Sequence, residues 1–180
     1  MKITPTHLKG AFLIEPKVFG DTRGYFFESY SKKELEQSIG QCNEFVQDNR
    51  SYSTYGTMRG LHFQKPPHAQ AKIVTVLYGR VLDVAVDIRK GSPTFGQHIA
   101  VELTEENKLQ LYIPRGCAHG FVVLSETAEF FYKCDNFYEP SSEGGILFND
   151  SQLHIDWKIP QDKLIISEKD TKWKPLIELS

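Results

Sequence analysis

Lys72-Ile73-Val74-Thr75-Val76-Leu77-Tyr78-Gly79-Arg80-Val81-Leu82-Asp83-Val84-Ala85-Val86-Asp87-Ile88 is two apolar, β-branched runs parted by one tyrosine–glycine pair. β-Branched side chains are stiff about χ1 and suit a pleated surface better than a helix. The spacing predicts strands over 72–77 and 80–88, joined at Tyr78-Gly79 as a tight hairpin. In the second run Val84, Val86 and Ile88 share one face, and Asp83, Ala85 and Asp87 share the other. Carboxylates at alternate positions either lie in solvent or line a polar interior, and alternation alone leaves both open.

Outward from this stretch the period stays at two from Phe45 onward. Strands are expected over 45–49, 97–103, 109–113, 121–124 and 129–133, with Glu105-Glu106-Asn107 as the hairpin between the second and third of these and Gly91-Ser92-Pro93-Thr94 as a turn. Upstream, Phe12-Leu13-Ile14 reads as an early strand, and a glycine-rich turn from Phe19 feeds the aromatic Tyr25-Phe26-Phe27. Ser31-Lys32-Lys33-Glu34 is a capping box, Leu35 and Ile39 share a face behind it, and Gly40 ends the helix. Many short antiparallel strands with a few short peripheral helices make the chain mainly β, a sandwich or barrel of which a jelly roll is one solution. One domain is expected over 1–180, with the β core at about 45–135 and both termini packing on it.

Composition narrows the function. The 180 residues carry a net charge of −2 at pH 7, which argues against a nucleic-acid or membrane-surface partner. Met1 to Gly10 lacks the apolar centre of a signal peptide, and no run reaches the length of a membrane span. Cys42, Cys117 and Cys134 have no CxxC spacing, so buried free thiols are expected rather than disulfides or zinc. The expected location is the cytoplasm.

The chemistry concentrates in Met58-Arg59-Gly60-Leu61-His62-Phe63-Gln64 and in Gln70-Ala71-Lys72 just beyond Pro66-Pro67. An imidazole that can act as a base at neutral pH lies between a guanidinium and an ammonium. His62 is therefore expected to remove a proton while Arg59 and Lys72 hold an anionic substrate. Pro114-Arg115-Gly116-Cys117-Ala118-His119 is the second informative stretch. Its P-x-G-x-x-H resembles the second signature of the cupin superfamily, where the histidine often binds metal. The matching first signature, H-x-H, reads His62-Phe63-Gln64 here, so the second histidine is missing. A transition metal wants three or four good protein ligands, and no metal site is expected. His7, His68, His98 and His154 are read as structural. Tyr132 and Tyr138 lie in aromatic runs that are usually core, yet a phenol can donate a proton to a carbanion. A base also needs a carboxylate behind it, and both Asp83 and the Ser167-Glu168-Lys169-Asp170 stretch offer one.

Taken in order, F-G-D-x-R-G-x-F-x-E (Phe19 to Glu28), Gln47-Asp48-Asn49, R-G-L-H-F-Q (Arg59 to Gln64), Ala69-Gln70-Ala71-Lys72, D-V-A-V-D-I-R (Asp83 to Arg89), S-P-T-F-G (Ser92 to Gly96), P-x-G-x-A-H-G-F (Pro114 to Phe121), Ser141-Ser142-Glu143-Gly144 and Ser167-x-Lys169-Asp170 resemble the dTDP-4-dehydrorhamnose 3,5-epimerase family. The resemblance implies a cupin-type jelly roll, a homodimer and no metal or organic cofactor. It implies a dTDP-4-keto-6-deoxyhexose substrate, dTDP-4-dehydro-6-deoxy-D-glucose, inverted at C3 and C5. By motif, His62 would be the base, Asp170 its carboxylate partner, Tyr132 the acid and Lys72 the cation facing the enolate. Arg23, Glu28, Gln47, Asn49, Arg59, Lys72, His119, Glu143 and Lys169 would bind substrate, and Tyr138 would stack on thymine. Departures are small: Met58 for a frequent leucine, Cys117 for a common phenylalanine, and Leu153-His154-Ile155 for a glycine-containing turn expected at the surface. Competing readings are an epimerase acting at one carbon only, a metal-dependent cupin oxygenase, disfavoured by the broken H-x-H, and a non-catalytic sugar-binding cupin.

Overall fold

The computed structural model describes residues 1–40 and 42–179. In chain order its strands are β1 (Lys2–Pro5), β2 (Phe12–Glu15), β3 (Phe19–Asp21), β4 (Gly24–Phe26), β5 (Gln47–Thr54), β6 (Thr57–Gln64), β7 (Lys72–Tyr78), β8 (Arg80–Asp87), β9 (His98–Thr104), β10 (Gln110–Ile113), β11 (Cys117–Val123), β12 (Thr127–Cys134), β13 (Glu143–Gly145) and β14 (Ile165–Ile166). One α-helix among the described residues, α1, spans Lys32–Ile39. The first sheet runs β1-β2-β10-β7-β12-β5 and the second β13-β6-β11-β8-β9, with antiparallel pairing throughout both orders. The protein is mainly β, as its period-two pattern implies, and its two facing sheets form the jelly roll that the family resemblance implies.

The expected hairpins need correction. β7 lies between β10 and β12 in the first sheet, whereas β8 lies between β11 and β9 in the second. At Gly79 the chain crosses from sheet to sheet instead of folding back. Glu105-Glu106-Asn107 is likewise a crossing, because β9 and β10 belong to different sheets. Locally the two outcomes look alike: a turn residue between apolar runs serves a hairpin or a corner equally well. From β5 to β13, among the described residues, only β8 and β9 pair with a chain neighbour.

That true hairpin is held by Asp87. Its fully buried carboxylate accepts from the Arg89 backbone N–H at 3.0 Å, from Arg89 Nε and Nη2 at 2.8 Å, and from the Ser92 and Thr94 hydroxyls at 2.5 and 2.6 Å. Asp87 therefore ties the loop rather than lining a cavity. Asp83 does face the interior.

Three apolar layers follow from the strand pattern. Val74, Val76, Val81, Leu111, Phe121 and Phe130 fill the space between the sheets. Behind the second sheet, Ile146, Phe148, Leu153, Trp157 and Leu176 of the C-terminal segment cover Met58, Leu61, Leu82, Val84 and Val86. β8 is thus buried on both faces. Leu153 is 3 % exposed, which corrects the surface reading of 153–155, while His154 takes the left-handed φ of 49° that suits a glycine turn. Behind the first sheet, α1 docks through Leu35, whose full burial contributes about 2 kcal/mol. The Ser31 hydroxyl accepts the Glu34 N–H at 3.4 Å as expected, but the Glu34 carboxylate meets the Met1 amino group at 2.6 Å instead of reaching back. β3 and β4 stand apart as a two-stranded arm with Phe19, Tyr25 and Phe26 exposed. The three cysteines are free; Cys117 and Cys134 are buried and Cys42 half-buried.

Candidate functional site

The site begins with an irregularity in β6. His62 stands opposite His119 of β11 and Arg59 opposite Phe121, so Gly60 and Leu61 together face the single residue Gly120. This is a β-bulge. On a regular strand, residues three apart point to opposite faces. The extra residue turns Arg59 and His62 to the same side, while Met58 and Leu61 enter the apolar layer behind. Glycine is required at 60: its φ is 127°, and a Cβ there would lie 2.5 Å from the Gly120 Cα.

A cavity of about 500 Å³ opens between the sheets at this point. Arg59, His62 and His119 line it from the second sheet, and Lys72 and Tyr132 from the first. Lys169 and Asp170 reach it from the C-terminal segment. The free edge of β6 explains how Asp170 arrives. β14 pairs with one end of that edge, at Thr57 and Met58, and β13 with the other, from His62 to Gln64. Asp170 fills the gap: its Oδ2 accepts the Gly60 N–H at 3.4 Å, and its Oδ1 lies 2.5 Å from His62 Nε2. Asp83, the rival for His62, instead meets His119 Nε2 through Oδ1 at 2.7 Å, and its other oxygen is buried with no hydrogen-bond partner among the described residues.

Burial and charge tune these groups in different directions. For Asp170, burial pushes the carboxyl up, but His62, the Trp173 indole N–H and the Gly60 N–H outweigh it and hold the group below its ordinary value. Burial pushes the His119 imidazole down, only partly countered by Asp83. Burial also pushes the Lys72 ammonium down, against the pull of Cys134, Asp83 and Glu143. The Tyr132 phenol is pushed up, chiefly by burial, so it carries its proton at neutral pH. The result is an imidazole backed by a carboxylate on one wall and a protonated phenol on the other, with an ammonium beside the phenol.

Other expected residues gather around this centre. Asn49 is directly opposite Tyr132 on β5, and Gln47 Nε2 donates to Asn49 Oδ1 at 3.0 Å. Tyr138 donates its backbone N–H to Gln47 Oε1 at 3.0 Å and its hydroxyl to Glu143 Oε2 at 2.9 Å. Lys169 Nζ meets Glu143 Oε1 at 2.6 Å. Burial pushes the Glu143 carboxyl up, but Lys169 and Tyr138 hold it below its ordinary value. Arg59 Nε donates to the Ser53 hydroxyl at 3.1 Å. Arg23 and Glu28 are not brought to this cavity. Both are exposed, Arg23 on the β3–β4 arm with its guanidinium on Asp21 and Glu28 just after it. Sequence reasoning missed Trp173, which donates to Asp170; nothing in its local sequence distinguishes it. Gln64, at the place of the absent histidine, uses its amide oxygen to accept the Glu139 N–H at 3.0 Å. Among the described residues, no three His, Cys, Asp or Glu side chains are arranged to hold a metal ion.

Comparison with known proteins adds an independent line. The family model described as dTDP-4-dehydrorhamnose 3,5-epimerase matches residues 5–178. The dTDP-4-dehydrorhamnose 3,5-epimerase of Salmonella typhimurium is 55 % identical over 161 residues, covering 89 % of this chain and 88 % of its own length. The crystal structure of the enzyme of that name from Elizabethkingia anophelis superposes with a TM-score of 0.96 at 58 % identity, covering 99 % of this chain and 97 % of the other. A dTDP-6-deoxy-D-glucose-3,5-epimerase from Legionella pneumophila, solved with dTDP-4-keto-L-rhamnose, superposes with a TM-score of 0.93 at 49 % identity, covering 99 % and 96 %.

Proposed function

Because this chain belongs to the dTDP-4-dehydrorhamnose 3,5-epimerase family, and is therefore an isomerase, we propose that it inverts C3 and C5 of dTDP-4-dehydro-6-deoxy-D-glucose by proton transfer between two walls of one cavity. No cofactor takes part in the scheme. His62 removes the α-proton, and Tyr132 returns one from the other face. The observation that carries this is the placement of these two groups on opposite sheets, with Asp170 at 2.5 Å behind His62.

The chemistry asks for this set. A C4 ketone acidifies the protons at both C3 and C5, so one base serves two centres. Inversion needs a proton taken from one side and a proton given to the other, hence two groups across the ring. The enolate oxygen formed between the steps needs a preorganised cation, the role of Lys72. Asp170 fixes the tautomer of His62 and stabilises the imidazolium without accepting its proton. Arg59 takes a phosphate oxygen of the diphosphate, for which a guanidinium fork is suited. Gln47, Asn49, His119, Glu143 and Lys169 hold the rest of the substrate, and Tyr138 offers its exposed ring to the thymine.

Arg23 and Glu28 fit the scheme through a homodimer. Their arm exposes Phe19, Tyr25 and Phe26 at 53 %, 64 % and 70 %, an apolar surface that a second copy would cover. In that dimer the arm of one protomer delivers both residues to the partner's cavity. A nucleotide-sugar substrate and three free cysteines fit a cytoplasmic enzyme.

The test is NMR of the dTDP-4-keto sugar incubated with the enzyme in D2O. Deuterium is expected at both C3 and C5 with inversion at each. Label at one carbon only would make the protein a monoepimerase, and no label would leave it a binding protein.

A further inference from the structure

We propose that Trp173 is a positioning residue of the His62–Asp170 pair, its indole N–H holding the carboxylate in the orientation that backs the imidazole. This rests on His62 being the base. Indole Nε1–H donates to Asp170 Oδ1 at 3.2 Å, the same oxygen that meets His62 Nε2 at 2.5 Å. With the Gly60 N–H on Oδ2, three groups on two oxygens fix the plane of a carboxylate whose terminal torsion is otherwise broad.

The indole is itself held on several sides. It lies against Gly145, where a Cβ would come within 2.4 Å of two ring atoms. Its edge meets the His62 ring at a centroid distance of 6.1 Å and an interplanar angle of 70°. The next residue, Lys174, bridges to Ile146, and its carbonyl accepts the Leu147 N–H at 3.1 Å. A half-buried tryptophan needs a partner for its N–H. Here that partner is the carboxylate behind the base.

The consequence is chemical as well as geometric. An oxygen that already accepts the indole N–H has less basicity to offer the imidazolium. Asp170 then steadies the protonated His62 while leaving it free to pass its proton on.

Trp173→Phe keeps an aromatic ring over Gly145 and removes the donor. It is expected to lower kcat about tenfold with KM changed less than about twofold, as for loss of a hydrogen bond to the group that orients a working histidine. The acidic limb of kcat/KM is expected to move up, because Asp170 without the indole holds the imidazolium more tightly. A limb that stays in place, whatever happens to kcat, assigns Trp173 to packing alone and overturns the proposal. If the variant does not fold, the wild-type protein still decides. In a 1H–15N pH titration the Trp173 indole resonance should shift with the midpoint of the His62 ring, while that of Trp157, bound to the Phe148 carbonyl, stays still. A pH-independent Trp173 resonance contradicts the role. Turnover that survives in His62→Ala would remove the base itself, an outcome distinct from either of these.

Discussion

At the scale of single residues, the site pairs two histidines with two carboxylates, and sequence spacing leaves the pairing open. Asp83 and Asp170 are equally acidic on paper. The fold decides between them: Asp83 lies on β8 beside β11 and so meets His119, while Asp170 enters the gap on the β6 edge and so meets His62. The types of residue were legible because glycine, proline and charge punctuate otherwise apolar strands at Arg59 to His62 and at Pro114 to His119. The Trp173 contact was not legible, since it is a three-dimensional one to a carboxylate three positions earlier. His62→Ala should lower turnover by about two to four decades, the usual share of a general base, while calorimetry finds dTDP binding retained. Near-normal turnover in that variant would remove His62 as the base.

At the scale of elements, period-two alternation located most of the strands between residues 45 and 135, with β5 running to Thr54 rather than ending at Asn49, but not their partners. A turn at Gly79 or at 105–107 carries no mark of whether the chain folds back or crosses over. The β6 bulge was equally hidden, although Gly60 and Gly120 are its two signatures, each backbone too close to the other for a Cβ. The β8–β9 loop allows a test of Asp87. Burial pushes its carboxyl up, but hydrogen bonds from Arg89, Ser92 and Thr94 outweigh it and hold the group well below its ordinary value. With the folded value below the unfolded one, ionised Asp87 stabilises the protein fully above about pH 4, and the contribution is lost as pH falls further. Asp87→Asn should therefore cost about 2–4 kcal/mol in urea denaturation at pH 7. The gap to wild type should narrow at pH 3. An equal gap at both pH values would mean that packing, not charge, holds the loop.

At the scale of the whole molecule, a β sandwich or barrel was legible because short strands without linkers leave few other solutions, and the family resemblance narrowed this to a jelly roll. The separation of Arg23 and Glu28 from the cavity was not, because their motif carries no mark of where the β3–β4 arm lies relative to the other motifs. A mixed dimer makes this measurable. Inactive His62→Ala and Arg23→Ala proteins, co-expressed, should regain activity if each arm serves its partner, because one cavity of the mixed dimer then has both residues. No recovery would place Arg23 in its own protomer's site, and an Arg23→Ala protein active on its own would place it outside the reaction. The proposed proton transfer draws its two-sidedness from the facing sheets, since His62 and Tyr132 line the cavity from different sheets. The most direct test of that is Tyr132→Phe incubated with the dTDP-4-keto sugar in D2O and followed by NMR. Deuterium should enter at C3 with the original configuration kept, because His62 still removes the proton and can return a deuteron only to the same face. Loss of exchange together with inversion, or inversion that proceeds at the wild-type rate, would contradict proton transfer between the two walls.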